Sequence, residues 1–157
     1  MGLKEKLQRL NDSKTSGQID WGLRTIEWQN AVEAVLSEVK NWFEPYIKSG
    51  LFHVVEVEKS ISEENMGTYT TTQLEFEFDA FRLVFEPMGR NILGAIGRID
   101  VYLRGRKTDK YVLVLLETEE GNTKWVLSTF SDKSVRIEFN KVNMERLIED
   151  WIDQNTI

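Results

Sequence analysis

With 157 residues, 41% hydrophobic and 29% charged, the chain has enough apolar material for one core and too little compositional bias for wholesale disorder. Its 26 acidic against 20 basic residues give a net charge of −6, which argues against a nonspecific grip on DNA or RNA, where Lys and Arg must neutralise phosphates. The absence of cysteine and a single histidine, His53, exclude disulfides, thiol catalysis, Cys-ligated zinc or iron–sulfur sites and His-rich metal centres.

The opening MGLKEKLQRL has no apolar signal core. Lys6 stands where a myristoylation motif after Gly2 requires Ser or Thr. No apolar run approaches the ~20 residues of a membrane helix. A cytoplasmic protein without membrane insertion is the expectation. Leu3, Leu7 and Leu10 recur at i, i+4, i+7 and mark a short helix, followed by the polar loop Asn11–Gln18 within residues 1–18. The main helix falls in residues 19–50, from Asp20 or Thr25 to Ser49. Trp28, Val32, Val35, Val39, Trp42 and Tyr46 form its apolar face. Pro45 should kink or loosen its last turn, and Gly50 suits a left-handed stop.

From Leu51 the hydrophobic period changes from 3.6 to 2, and residues 51–139 read as a sheet. Seven strands are expected: Phe52–Ser62, Thr68–Phe78, Phe81–Glu86, Ile92–Arg104, Lys110–Thr118, Thr123–Phe130 and Val135–Phe139. Turns of two to four residues between them require antiparallel neighbours, hence a meander. A two-residue turn at Asp79-Ala80 sets Phe78 against Phe81, Phe76 against Leu83 and Leu74 against Phe85. A four-residue turn at Glu119–Asn122 sets Leu115 against Val126, placing Val126 and Phe130 on the core face with Val135, Ile137 and Phe139. A four-residue turn at Glu64–Gly67 sets Glu56 against Glu75. Asn140 can cap a helix in residues 140–157, with Met144, Leu147, Ile148 and Trp151 as its stripe. The fold class is α+β in a single domain, residues 1–157. N-terminal helices precede a seven-stranded antiparallel meander and a C-terminal amphipathic helix. The sheet either stays open and curved or bends into a sandwich like that of pleckstrin-homology domains.

The other sheet face has an apolar centre of Val112, Val114, Leu116, Trp125 and Leu127, and is expected either to lie under a helix or to form a pocket. Arg98, Asp100 and Tyr102 stand beside that centre. Two roles fit Arg98 and Asp100: a structural ion pair with Arg82 or Glu86 across the sheet, or orientation of a ligand by a bidentate arginine, with Tyr102 and Trp125 completing the site. Glu56, Glu58, Glu75 and Glu77 form a second group. It reads as a solvated face that blocks edge pairing, or as a surface for a basic partner or a hard cation. No acidic loop supports a metal, and no cofactor is expected. No Ser or Asp motif points to His53, and the Asn91–Gly97 stretch lacks dinucleotide-binding spacing. Gly94 and Gly97 fit a bulge, a bend or aromatic packing over bare backbone.

Glu86, Pro87, Gly89, Gly94, Ala95, Gly97, Arg98 and Asp100 form an E-P-x-G…G-A-x-G-R-x-D hairpin. Over about fifteen residues it resembles a hairpin of uncharacterised bacterial proteins that continue into a meander and a terminal helix. The resemblance implies a bacterial origin and a shared sheet, with no activity attached. The functional expectation is a non-catalytic protein-binding module, of immunity, inhibitor or chaperone type, taking a basic protein partner, with a homodimer left open and nucleic acid not expected. The alternative is a small-ligand or lipid-headgroup binder using the second sheet face. Catalysis by carboxylates alone has no motif to place it.

Overall fold

The computed structural model describes residues 2–7, 20–90, 95–106, 109–132 and 134–156. The expected loop Asn11–Gln18, Leu10 and Gly94 lie outside the described residues. Residues 3–7 are helical, with Leu3 and Leu7 exposed.

Asp20 starts the long helix α1 (Trp21–Trp42), its carboxylate accepting from the Leu23 N–H at 2.9 Å. Trp28, Val32, Val35, Leu36 and Val39 are buried along one side. The helical run is interrupted just before Pro45, the loosening of the last turn expected there. The chain leaves α1 at Phe43, and a short helix α2 (Glu44–Lys48) restarts with the proline in its first turn, where a missing N–H is harmless. Phe43, fully buried at that break, packs edge-on against Phe52 and Phe76 with ring centroids 5.4 and 5.2 Å apart. The i, i+3, i+4 reading of the helix had passed over it. Gly50 takes the left-handed conformation (φ 81°) that ends the helical region.

Seven strands follow: β1 (His53–Glu63), β2 (Gly67–Phe78), β3 (Phe81–Gly89), β4 (Gly97–Leu103), β5 (Tyr111–Glu117), β6 (Thr123–Thr129) and β7 (Ile137–Glu138). They form one open antiparallel sheet in sequence order β1 to β7, so the meander is confirmed and the sheet is not divided into a sandwich. Helix α3 (Lys141–Asn155), capped by Asn140, ends the fold. Both long helices contribute to the core cluster that covers one sheet face. That cluster joins Trp28, Val32 and Val39 of α1 to Met144, Ile148 and Trp151 of α3, through Leu74, Phe76, Leu83, Phe85, Ile99, Val101 and Leu113. Gly97 lets Trp28 lie directly on the sheet: a Cβ there would sit 2.5 Å from the indole ring. Aromatic packing over bare backbone is what the sequence had offered as one role for this glycine.

The β2–β3 register is as expected, with Phe78, Phe76 and Leu74 opposite Phe81, Leu83 and Phe85. The β4–β5 pairing, which the alternation of the sequence sets as Leu103, Val101 and Ile99 beside Tyr111, Leu113 and Leu115, is shifted by two residues, so Val101 faces Tyr111 and the same side is kept; in β6–β7, Val126 faces Glu138 rather than Phe139. Two hairpin registers also differ by one residue. The β1–β2 hairpin closes at Glu63 and Gly67 over three residues rather than four, so Glu56 faces Leu74 and Val55 faces Glu75. The β5–β6 hairpin closes at Glu117 and Thr123 over five residues rather than four, so Leu115 faces Trp125 instead of Val126. Because strand side chains alternate, each slip turns a set of residues over. Trp125 and Leu127 therefore join the core side, where the Trp125 ring lies 5.9 Å from that of Trp28. Val126 moves to the opposite side with Phe130, which is 49% exposed. Val135 precedes the short β7 rather than opening it.

Candidate functional site

No helix covers the second sheet face among the described residues. A band of charged side chains crosses it. In β2, Glu75 is only 2% exposed. It accepts from Arg82 at 3.2 Å, Arg104 at 2.8 Å and Gln73 at 2.6 Å. Arg82 also pairs with Glu77. Glu86 of β3 accepts from Lys59 at 2.5 Å and from the Tyr102 hydroxyl at 2.7 Å. Asp100, with no exposure at all, takes a bidentate pair of hydrogen bonds from Arg98, at 2.7 and 3.1 Å, and an ion pair from Lys110 at 2.5 Å. Arg98 and Lys110 lie 5.5 and 5.4 Å from the centroid of the exposed Phe130 ring. Long side chains thus roof the carboxylates they bind.

The electrostatics follow from these contacts. Burial would raise the Glu86 carboxyl, but the bonds from Lys59 and Tyr102 outweigh it and hold it below its ordinary value. Burial and the bond to Glu86 push the Tyr102 phenol up to about 12. The bond to Asp100 raises Arg98 further. These shifts favour keeping the internal pairs intact. The guanidinium offered by the sequence for ligand orientation spends its fork on Asp100, two residues away in the same strand, rather than on a partner across the sheet.

Arg98, Asp100 and Tyr102 thus come together as expected, and Trp125 does not join them. Its side chain belongs to the helix-covered side, because the β5–β6 loop is one residue longer than the turn read from the sequence. The acidic group divides in the same way. Glu75 and Glu77 face the arginines of the second side. Glu56 and Glu58 lie on the other side of the hairpin, toward α1.

There a groove runs between α1 and the β1–β2 hairpin, lined by Gln29, Glu33, Glu56, Val57, Glu58 and Thr70–Thr72. Gln29 donates to the Thr70 carbonyl at 2.7 Å, and the Thr72 hydroxyl donates to Glu33 at 2.6 Å, fixing the hairpin to the helix. Lys40 of α1 pairs with Glu56 at 2.5 Å. Glu33 and Glu58 have no ion pair among the described residues. Glu33 was missed by the sequence reading, since nothing in a helical position marks which strand it will face. Among the described residues no three His, Cys, Asp or Glu side chains are grouped so as to hold a metal ion, and no helix is long and apolar enough to cross a membrane.

The chain matches no family model, no curated protein and no solved structure.

Proposed function

We propose that this protein is a non-catalytic protein-binding module whose contact surface is the acidic side of the β1–β2 hairpin, with a basic protein as its partner. The observation that carries the reading is the division of the carboxylates. Glu75, Glu86 and Asp100 are tied to cations on the second face, whereas Glu33, Glu56 and Glu58 gather along an open groove where, among the described residues, Lys40 is the one cation paired with them. Opposite charge across an interface mainly sets orientation and association rate, which suits an inhibitor or chaperone that recognises a basic surface. The alternative, a ligand held by Arg98, Asp100 and Tyr102, would have to displace internal pairs before gaining any bond.

The test is capture from the native lysate by the wild-type chain and by a Glu56→Lys, Glu58→Lys variant whose folding is verified by circular dichroism. A basic protein held stoichiometrically by the wild type and lost by the variant is the expected result. Equal capture by both chains removes this surface from the reading.

A further inference from the structure

The two edges of the sheet are unequal. β7 is two residues long, whereas β1 runs for 11 residues, and no described strand pairs with its outer side. An unpaired strand of that length presents a row of N–H and C=O groups ready to bond another chain. Its side chains alternate in chemistry as well as in direction. Val54, Glu56, Glu58 and Ser60 point to the helix side, consistent with the bond between Glu56 and Lys40 of α1. His53, Val55, Val57 and Lys59 point to the other side, consistent with the bond from Lys59 to Glu86. Val57 is 41% exposed there.

We propose that β1 binds its partner by strand addition: an extended segment alternating basic and aliphatic residues pairs with the free edge. Its basic side chains lie beside Glu56 and Glu58 in the α1 groove, and its aliphatic ones beside Val55 and Val57. This rests on the protein-binding reading above and names the chemistry of the bound segment. Main-chain bonds supply affinity in this mode and alternate side chains supply specificity. A second copy of this chain is disfavoured where its two-fold axis would fall in the acidic stretch. Antiparallel pairing about a two-fold axis at Glu56, Val57 or Glu58 sets glutamate opposite glutamate, and like charges directly across are unfavourable.

The probe is a ten-residue synthetic peptide alternating Lys and Val, about as long as β1. Two controls accompany it: a peptide alternating Glu and Val, and one alternating Lys and Pro. The second control carries equal charge, but its backbone cannot lie as a strand and lacks every second N–H. Binding is followed by calorimetry and by amide hydrogen exchange of the full chain. Strand addition predicts that only the Lys-Val peptide binds and that it slows exchange of alternate β1 amides. It also predicts that the Glu56→Lys, Glu58→Lys variant binds it about tenfold more weakly, as each reversal turns an attractive cross-strand pair repulsive. Equal binding of the Lys-Pro peptide, or binding without β1 protection, overturns strand addition and leaves a charge-driven contact with a basic partner. No binding of the Lys-Val peptide also overturns strand addition. The protein-binding reading is then decided separately by whether lysate capture depends on Glu56 and Glu58.

Discussion

The two faces of the sheet solve the same problem with different chemistry. One buries Leu83 and Phe85 under helices, and its interior is held by packing. The other carries no helix among the described residues, and it buries Glu75 and Asp100 beneath the arginines and lysines that bind them. On the first face, shape complementarity is what matters, since interiors are close-packed and lost volume is felt directly. On the second, what matters is that each buried charge keeps its partner. A charge is tolerated there only while paired, and the pair itself adds little over an apolar substitute.

The sharpest way to break this comparison is to remove volume from the helix-covered face. Phe85 is fully buried and meets the Phe76 ring edge-on. Phe85→Ala should lower the unfolding free energy by about 3–5 kcal/mol, measured by urea titration. A loss under about 1 kcal/mol would mean the helices do not depend on this face for their seat. The second face should respond differently. Asp100→Asn leaves Arg98 and Lys110 without their anion and should lower stability by about 1–3 kcal/mol. The triple change Arg98→Met, Asp100→Leu, Lys110→Met should recover most of that loss, because it removes the charges together. If the triple variant is much less stable than Asp100→Asn alone, the network contributes more than mutual satisfaction.

A smaller effect is expected from acid. The Glu86 carboxyl is held below its ordinary value of 4.5, so its contribution is present above that pH. The contribution is lost as pH falls through the lower folded value. Thermal unfolding followed from neutral to acid pH should therefore show a declining midpoint, and Lys59→Met should make that decline shallower. Parallel curves for the two proteins would show that Lys59 does not set the carboxyl.

Much of the architecture was legible because hydrophobic periods are local. The 3.6 period around Trp28 and Val39 and the 2 period around Phe76 and Leu83 located helix and strands. The Asp79-Ala80 turn fixed the one register that was read correctly throughout, since two residues leave no choice of closing pair. Where a loop held several polar residues, its length was uncertain by one. That single residue exchanged Val126 for Trp125 on the core side and separated Glu56 from Glu75. Strand β5 could not arbitrate: Tyr111 to Leu116 is apolar at every position, so it has no preferred face. An ion pair at Arg98 and Asp100 was foreseen, but with Arg82 or Glu86 across the sheet as partners; that the two pair with each other along β4 was not. Lys110 and Glu33 were not foreseen either, because each reaches its site from a neighbouring element through tertiary geometry.

Strand order that follows chain order has a kinetic meaning. Each strand pairs only with its sequence neighbours, so the sheet can grow hairpin by hairpin with short loop closures, a route that favours rapid folding. Helix α1 lies outside that scheme. It leaves the ribosome before the strands, yet the contact of Trp28 with Gly97 and Trp125 needs β4 and β6 already in place. The indole contact therefore closes only after β4 and β6 are in place, joining a segment made before the sheet to strands made late in it.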